Sequence, residues 1–420
     1  MSVETRQTPD SVRRTFPPVD VQLEALMRGV DYGDPRTADS MRLELRDRLE
    51  DSARTGRPLR AYVGIDPTGA DLTLGHTVPL RKLRQVQDLG HQAIFVIGDM
   101  TALVGDPSDK SAARRMLTAD EVLRHGQAYL EQAGRVLDAE RVEVRRNSEW
   151  LGRLDLAAII DLASHFTVGQ FLQRDNFALR HGRGDAIWLH EFFYALMQAH
   201  DAVALEADIQ IGGTEQLFNL MAGRKLQEAR GQRPQVPLTL PILVGTDGHA
   251  RMSKSAGNFV GIAEPPASQF GKAMSIPDEA MANWLTLVTN VPEAEIATLL
   301  GEVGAGRVHP MAAKKRLARE IVTLFHGADA AAGAEAESER TVQGRAQPDS
   351  MPVHRVLEPT PLLDLLQAAG LVASRSEARR LMQQGGVRLD EVALEDPSCV
   401  IEPGPPRVLQ VGKRRFLRLE

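Results

Sequence analysis

Residues 61–65 read A-Y-V-G-I and residues 93–98 read A-I-F-V-I-G, and these two apolar runs decide the fold. The first run is cut off by the turn sequence D-P-T-G at 66–69, and Asp99 follows the second. Between them, residues 77–89 carry helical spacing of apolar side chains. A strand, a loop, a helix and a second strand within about forty residues form a βαβ unit, the seed of a parallel nucleotide-binding sheet.

The rest of the chain extends this sheet and adds further domains. Strand patterns recur at 142–145, 207–211 and 238–244, and the stretch between about 150 and 202 is mostly helical. We therefore predict an α/β fold, in which a Rossmann-like parallel-sheet catalytic domain at 61–262 carries a helical insertion at 150–202. A tail and helical lead-in (1–60) precede it. An α-helical domain (263–340), a linker rich in Pro and Gly (341–358) and a small α+β domain (359–420) follow it.

The bulk composition is that of an ordinary globular protein. Among 420 residues, 43% are hydrophobic and 25% are charged, and the formal net charge is −6, so any nucleic-acid surface must be local. A single cysteine, Cys399, excludes an internal disulfide framework and a Cys-based zinc cluster. Residues 1–14 lack the apolar segment of a secretory signal, and no apolar run is long enough to span a bilayer. We expect a cytoplasmic protein that does not bind membranes.

Two common nucleotide-binding motifs are missing. The sequence contains no G-x-x-x-x-G-K-[ST], and no G-x-G-x-x-G follows the first strand, which argues against P-loop and dinucleotide enzymes. Instead, T-L-G-H at 73–76 opens the first helix, whose N-terminus suits a phosphate. Gly75 permits close backbone approach and His76 offers a neutral donor. Taken alone, a tight turn with a helix-capping histidine is the better interpretation.

Two polar loops carry cations that could face a phosphate. Residues 251–255 read R-M-S-K-S, and residues 105–115 place Lys110 and Arg114 after a strand. A lysine on a mobile loop can neutralise charge that develops on a leaving pyrophosphate. By itself, the 251–255 loop is a weak signal that a solvated surface loop also explains, and the 105–115 loop is better explained as an exposed charge run.

One helical segment carries polar side chains among apolar ones. Tyr194, Gln198 and Asp201 are spaced i, i+4 and i+7, on one helix face, among phenylalanines and Leu196. Buried polar groups need partners, so this face either binds a ligand or forms an internally satisfied network. G-G-T-E-Q at 212–216 comes directly after a strand, where parallel sheets place ligands. Because all these motifs occur in one chain in a sensible order, we interpret them as one site.

With these motifs together, the chain resembles the bacterial tyrosyl-tRNA synthetases, a family of class I aminoacyl-tRNA synthetases. L-G-H at 74–76 resembles the end of the His-Ile-Gly-His signature, and 251–255 resembles the Lys-Met-Ser-Lys-Ser signature. Residues 62–68 resemble the Tyr-x-Gly-x-Asp-Pro-Thr run of the family. The resemblance extends from about residue 20 to 420.

The resemblance implies the roles of individual residues. It implies a tyrosine site formed by Tyr62, Asp66, Asp106, Tyr194, Gln198, Asp201 and Gln216. It implies an ATP site formed by Thr68, Thr73, Gly75, His76, Gly213, Glu215 and Lys254. Catalytic roles would fall to Thr68, His76, Lys110, Arg114, Arg251, Ser253 and Lys254. Within the tyrosine site, Tyr62 and Asp201 would bind the phenol, and Asp106, Tyr194 and Gln198 would bind the ammonium.

The resemblance also implies the reaction and its partners. The tyrosine carboxylate would attack the α-phosphate of ATP, aided by Mg²⁺ and loop cations, and tyrosine would then pass to tRNA(Tyr). Such chemistry needs no protein nucleophile and no protein-bound metal cluster. Relatives are homodimers through the helical insertion, so a homodimer is expected.

Three positions depart from the family pattern. Thr73 stands where the signature has its first histidine, Glu215 where many relatives carry Asp, and Arg251 where the second signature begins with Lys. Thr73 is neutral and shorter than histidine, so the γ-phosphate contact of the signature is expected to be weakened or supplied by a loop cation. Arg251 keeps the positive charge of the signature lysine but changes its geometry.

The C-terminal part has local basic character. S-R-S-E-A-R-R at 374–380 predicts a helix with a serine cap and a basic face, similar to the small S-four-type RNA-binding module. The implied RNA-binding residues are Arg375, Arg379, Arg380, Lys413 and Arg414. By the same resemblance, the basic helix that contains Lys314 and Arg319 would form an anticodon-side surface.

Two other functions compete with this interpretation. A tryptophanyl-tRNA synthetase shares the fold, but Tyr62 and Asp201 suit a phenol better than an indole. A catalytically impaired, synthetase-like RNA-binding protein would keep the basic surfaces and lose the ATP residues, and Thr73 is its main support. Tyrosine-dependent exchange of pyrophosphate into ATP separates all three.

Overall fold

The structure, a computed structural model, describes residues 15–67, 71–108, 118–254, 256–343, 351–372, 374–390, 392–394, 396–412 and 415–420. Five residues with predicted roles lie outside this part of the chain: Thr68, Lys110, Arg114, Lys413 and Arg414. The molecule divides into one unit that ends at Ala331 and a second that begins at Ala332.

A five-stranded parallel sheet forms the centre of the first unit. Its strands are β1 (Arg60–Ile65), β2 (Gln92–Ile97), β3 (Val142–Arg146), β4 (Ile209–Gly213) and β5 (Val236–Leu240). They lie in the order β3-β2-β1-β4-β5, which confirms the predicted Rossmann-like sheet. Strands β2 and β5 are almost entirely buried, as expected for parallel strands covered by helices on both faces. The order changes direction at β1, so a crevice opens where the carboxyl ends of β1 and β4 meet.

The last two strands differ slightly from their predicted bounds. Strand β4 includes Gly212 and Gly213, which pair with Thr239 and Leu240 of β5. Strand β5 ends at Leu240 because Pro241 follows, and proline has no N–H to continue a ladder. The glycines predicted to follow the strand are therefore its final residues, at the edge of the crevice.

Helices surround the sheet and form the insertion. They are α1 (Val19–Met27), α2 (Pro35–Thr55), α3 (Leu74–Asp88), α4 (Thr101–Val104), α5 (Ala119–Ala133), α6 (Ser148–Leu151), α7 (Leu156–Ser164), α8 (Val168–Leu172), α9 (Asp175–Arg183), α10 (Leu189–Ala204) and α11 (Leu217–Ala229). Helix α2 begins at a capping Asp34 whose side chain accepts from Thr37 N, and it ends at Gly56 with φ of 76°. Buried Arg48 of α2 donates to Asp208 Oδ1 at 2.7 Å, which fixes the helical lead-in to the start of β4.

The segment after the sheet is helical, as predicted. Its helices are α12 (Pro266–Met274), α13 (Met281–Val288), α14 (Glu293–Gly304), α15 (Pro310–His326) and α16 (Ala328–Gln343). Apolar side chains of α13 and α15, including Trp284 and Leu317, are fully buried. None of the described helices is long and apolar enough to cross a membrane.

The second unit contains a small mixed fold with its own core. Its elements are β6 (Val353–His354), β7 (Thr360–Pro361), α17 (Leu362–Ala368), α18 (Arg375–Gln383), β8 (Val387–Leu389), β9 (Val392–Ala393), β10 (Val400–Ile401), β11 (Arg407–Val411) and β12 (Arg415–Leu419). One sheet has the order β6-β12-β11-β8-β9, and β7 pairs with β10. Leucines of α17 pack with Leu409 and Leu417 of this sheet.

Candidate active site

The crevice at the carboxyl edge of the parallel sheet contains a cavity of about 710 Å³. Every described residue with a predicted catalytic, tyrosine or ATP role lines it: Tyr62, Asp66, Thr73, Gly75, His76, Asp106, Tyr194, Gln198, Asp201, Gly213, Glu215, Gln216, Arg251, Ser253 and Lys254. The two signatures, far apart in the sequence, thus meet at one cavity. Among the described residues, no three His, Cys, Asp or Glu side chains are grouped to hold a metal ion.

The innermost part of the cavity contains a phenol beside a carboxyl group. The hydroxyl of Tyr62, on β1, is buried and has no hydrogen-bond partner among the described residues. Asp201 of α10 is also buried, and it accepts from Trp150 Nε1 at 2.7 Å and Asn147 Nδ2 at 3.4 Å. Burial raises the pKa of Asp201 to about 8, although both donors favour its ionised form. Burial, and then Asp201, raises the pKa of Tyr62 well above its ordinary value.

Asp66, which follows β1, is held from both sides. Tyr194 donates its hydroxyl to Asp66 Oδ2 at 3.1 Å, and Thr101 Oγ1 donates to Asp66 Oδ1 at 2.7 Å. Asn147 Nδ2 in turn donates to Thr101 Oγ1 at 3.0 Å. A Cβ at Gly98 would lie 2.2 Å from Asp66 Oδ1, so only glycine leaves room for this carboxylate.

Asp106 lies in a second polar network. Its Oδ1 accepts from the backbone N of Ser108 at 2.9 Å and from Ser108 Oγ at 2.5 Å, and its Oδ2 accepts from Gln216 Nε2 at 2.6 Å. Arg174, buried on the insertion against two phenylalanine rings, donates to Ser108 Oγ. Its guanidinium Nη2 is 3.9 Å from Asp106 Oδ1, so a cation lies behind the carboxylate.

The start of α3 fixes the state of His76. The backbone N–H of Thr73 donates to His76 Nδ1 at 3.1 Å, and Thr73 Oγ1 lies 2.9 Å from the same nitrogen. Because Nδ1 accepts, the imidazole carries its proton on Nε2. Burial, followed by the cations Lys254 and Arg251, lowers the pKa of His76 to about 4. His76 is therefore a neutral donor near pH 7. Thr73 is the N-cap residue of α3, and its backbone N–H orients the His76 ring.

Glu215 presents an unsatisfied oxygen to the cavity. Its Oε2 is buried without a partner among the described residues, and burial raises its pKa. The carboxyl group lies against Gly213, where a Cβ would come within 2.2 Å of Oε2. Glycine at the end of β4 therefore makes room for this longer acid.

The loop that carries the second signature, residues 251–255 (the signature loop), is held by Asn258, which lies outside the motif. Asn258 Oδ1 accepts from Ser253 N at 2.8 Å, and Asn258 Nδ2 donates to Arg251 O at 3.1 Å and to Asp247 Oδ2 at 2.6 Å. Met252 is buried, whereas Lys254 is exposed. Burial lowers the pKa of Arg251, and Asp106 opposes this effect.

The motifs did not reveal several polar residues that support the site. These are Thr101, Ser108, Asn147, Trp150, Arg174, Asn219 and Asn258. Ser108 lies within the 105–115 loop and Asn258 lies three residues after the 251–255 loop, so their position in the sequence was a usable signal. Thr101 and Asn219 lie equally near the 105–115 loop and the 212–216 motif and carry the same signal. Nothing in the single sequence joins Asn147, Trp150 or Arg174 to the site.

In the second unit, the predicted basic helix is present. Ser374 caps α18 by accepting from Glu377 N at 3.2 Å, which confirms the predicted cap. Arg375, Arg379 and Arg380 are all exposed, and Arg375 also forms an ion pair with Asp364.

The basic helix of the first unit differs from expectation. Lys314 of α15 is 8% exposed and forms an ion pair with Asp278 at 2.5 Å. Lys314 therefore supports the packing of α15 and does not belong to an open RNA-facing surface.

Comparison with protein families identifies two segments. The model of the class I tRNA synthetases (W and Y) matches residues 54–343, and the S4 domain model matches residues 360–404. A protein of Moorella thermoacetica named tyrosine–tRNA ligase is 48% identical over 399 residues, with 95% of each chain covered. One of Salinibacter ruber with the same name is 46% identical over 413 residues, covering 96% of this chain and 97% of the relative.

Solved structures show the same fold. A tyrosyl-tRNA synthetase from Archaeoglobus fulgidus, complexed with L-tyrosine, has a TM-score of 0.59 at 22% identity and covers 76% of this chain and 99% of its own. A C-terminally truncated mitochondrial tyrosyl-tRNA synthetase from Aspergillus nidulans has a TM-score of 0.60 at 22% identity, with coverage of 77% and 93%.

Proposed function

Because this chain belongs to the class I tRNA synthetases and, within them, to the tyrosine–tRNA ligase family, we propose that it joins L-tyrosine to tRNA(Tyr) in the cavity at the edge of its parallel sheet. The enzyme first activates tyrosine with ATP and then transfers it to the 3′ end of the tRNA. The single observation that carries the choice of tyrosine is the buried, unpartnered hydroxyl of Tyr62 beside Asp201 in the described part of the chain.

Tyr62 and Asp201 are proposed to recognise the substrate hydroxyl. A phenol O–H is both donor and acceptor, so it can satisfy Tyr62 and Asp201 together. Phenylalanine would leave the buried Tyr62 hydroxyl without a partner, at a cost of about 1–3 kcal/mol, and would leave Asp201 with only its bonds from Trp150 and Asn147. Tyrosyl-tRNA synthetases are the standard example of selection by such pairing, and they reject phenylalanine without an editing site. An indole offers only an N–H donor, which makes tryptophan the weaker candidate.

The backbone end of tyrosine is proposed to lie near Asp106 and Gln216. Asp106, Tyr194 and Gln198 surround the position for the ammonium, and Gln216 lies nearest the carboxylate. Arg174 behind Asp106 limits the net negative charge of this region. Asp66, held by Tyr194 and Thr101, is proposed to lie beside the adenylate.

ATP is proposed to bind between the start of α3 and the signature loop. His76 and Thr73 lie at the helix N-terminus, Gly75 has no side chain to obstruct a ligand, and Glu215 beside Gly213 offers an oxygen to the ribose hydroxyls. Arg251, Ser253 and Lys254 approach the phosphates from the opposite loop. Mg²⁺ is proposed to arrive with ATP, since phosphate oxygens are ligands it prefers. Thr68, Lys110 and Arg114 remain predictions for the same phosphates.

The chemistry follows from positioning and charge. A tyrosine carboxylate oxygen forms a bond to the α-phosphorus as the bond from that phosphorus to the bridging oxygen breaks, and pyrophosphate leaves with the bonding electrons. Neutral His76 can donate through Nε2, and the loop cations stabilise charge that develops on the leaving group. No residue has to act as a nucleophile.

The remaining parts are proposed to bind tRNA and a second subunit. The S4 segment would contact RNA through Arg375, Arg379, Arg380, Lys413 and Arg414. The helical domain, proposed at 263–340, would face the anticodon side of the tRNA. We place the enzyme in the cytoplasm, where its tRNA substrate occurs, and as a homodimer through the insertion.

Tyrosine-dependent exchange of labelled pyrophosphate into ATP tests the proposal directly. We expect exchange with L-tyrosine and at least about a thousandfold lower kcat/KM with phenylalanine or tryptophan. Faster exchange with tryptophan would select the tryptophan enzyme. No exchange with any of the three, from a folded protein that still binds tRNA, would select the impaired RNA-binding protein.

A further inference from the structure

Three side-chain amides form a line behind the amino-acid half of the cavity. Asn219 of α11 is fully buried, and its Nδ2 donates to Gln198 Oε1 and to Gln216 Oε1, each at 2.9 Å. Gln198 and Gln216 line the cavity, whereas Asn219 does not. Asn219 thus touches two residues of the site from outside it.

The direction of these hydrogen bonds is fixed at one end by Asp106. An ionised carboxylate can only accept, so Gln216 must turn its Nε2 toward Asp106 Oδ2, at 2.6 Å. Ser108 gives its hydroxyl proton to Asp106 Oδ1, and its oxygen then accepts from Gln216 Nε2 at 3.0 Å. Because the Nε2 of Gln216 faces Asp106 and Ser108, its Oε1 faces Asn219.

The orientation of Asn219 in turn fixes the orientation of the Gln198 amide. Only the amide nitrogen of Asn219 can donate to Gln216 Oε1, so its Nδ2 must face the two glutamines, and its second N–H reaches Gln198 Oε1. The Oδ1 of Asn219 is buried without a partner among the described residues. A buried oxygen without a hydrogen-bond partner lowers the stability of the folded state. The orientation of the Asn219 amide is therefore set by the two glutamines that its nitrogen binds, and not by its oxygen.

We propose that Asn219 is a positioning residue for tyrosine, which holds the amides of Gln198 and Gln216 in one orientation toward the ammonium and carboxylate of the substrate. A glutamine amide that is free to turn presents a donor and an acceptor alternately, and each substrate encounter must then fix its orientation. Asn219 removes this freedom before the substrate binds, which is preorganisation of the site. The inference rests on the proposed tyrosine ligase function.

Two substitutions separate orientation from simple loss of contact. Asn219→Asp keeps the shape but cannot donate to either glutamine oxygen, and Asn219→Ala removes the amide. In tyrosine-dependent exchange we expect the KM for tyrosine to rise about tenfold in Asn219→Ala and further in Asn219→Asp, where a carboxylate faces two amide oxygens. The KM for ATP should change less than about twofold in both variants, since the two N–H groups of Asn219 donate to Gln198 and Gln216, which lie on the amino-acid side.

Two readouts distinguish this role from a structural one. Inhibition by 4-ethylphenol, which has the phenol and lacks the ammonium and carboxylate, should be unchanged in both variants. In a Gln198→Ala background, the effect of Asn219→Ala on the KM for tyrosine should be at least about threefold smaller than in the wild type. Equal weakening of 4-ethylphenol and tyrosine, or full additivity with Gln198→Ala, would overturn the proposal. A wild type without tyrosine-dependent exchange would instead overturn the function on which it rests.

Discussion

Asp201 is the residue whose surroundings bear most directly on specificity. Burial raises its pKa to about 8, and hydrogen bonds from Trp150 and Asn147 only partly offset that effect. An ordinary aspartate in an unfolded chain titrates near about 3.9. In the substrate-free protein the carboxyl group is therefore mostly protonated at neutral pH, and it can give or accept a hydrogen bond.

The raised pKa of Asp201 makes stability depend on pH. Because the folded pKa lies above the unfolded one, the contribution of this group is fully present below about pH 4, falls as pH rises, and is lost above about pH 8. In Asp201→Asn this dependence is absent. We expect the melting temperature of the substrate-free wild type to fall, relative to that of Asp201→Asn, between about pH 5 and about pH 8.5. Parallel melting curves across that range would contradict the assignment.

The motifs and the packing account for different residues of the site. The motifs predicted Tyr62, Asp201 and their neighbours, because polar groups among apolar residues on one helix face need either internal partners or a ligand. Trp150 and Asn147 were not predictable, because they reach Asp201 from a segment that no short-range spacing connects to α10. Contacts of this kind depend on packing between segments that lie far apart in the sequence.

Among the elements, the signature loop shows how a polar segment can be ordered without a regular fold. Asn258 binds the backbone at both ends of the motif, at Ser253 N and Arg251 O, and it also binds Asp247. A Cβ at Gly245 would lie 2.2 Å from Asn258 Nδ2, so the glycine makes room for this amide. The loop conformation that presents Arg251 and Lys254 thus depends on one buried side chain.

Removing that side chain should affect the chemical step. In Asn258→Ala the backbone of the loop loses its partners, and Lys254 is no longer held where charge develops on the leaving pyrophosphate. We expect kcat for exchange to fall by about tenfold or more while the KM for tyrosine changes little. His249→Ala, an exposed change in the preceding turn, is the matched control and should leave kcat unchanged. A rise in the KM for tyrosine without a fall in kcat would contradict this role.

The elements themselves were largely predictable. The apolar runs of β1 and β2 are long and bounded by turn residues, so their positions follow from the sequence. The limits of β4 and β5 did not follow from the sequence, because Gly212 and Gly213 have the composition of a loop but pair with β5. Pairing with a neighbour overrode the local preference of glycine.

Within a single chain, the helical insertion leaves large apolar side chains exposed to solvent. Its helices bury an aromatic core around Phe171 and Phe177, yet large apolar side chains remain on the outside. On α7, Leu156 and Ile160 are 72% and 61% exposed and share one helix face. Leu189, at the start of α10, is 72% exposed. Apolar groups exposed in this number on neighbouring segments are typical of an interface.

A charged face on α7 should therefore prevent association of the proposed homodimer. In a two-fold symmetric dimer each substitution is introduced twice, so Leu156→Glu combined with Ile160→Glu should weaken association by about a hundredfold or more. We expect light scattering after size exclusion to show a dimer for the wild type and a monomer for this variant at low micromolar concentration. Leu123→Glu, an equally hydrophobic, 56% exposed position on α5 outside the insertion, is the control and should remain dimeric. A monomeric wild type, or a dimer that tolerates both charges on α7, would show that this face does not join two subunits.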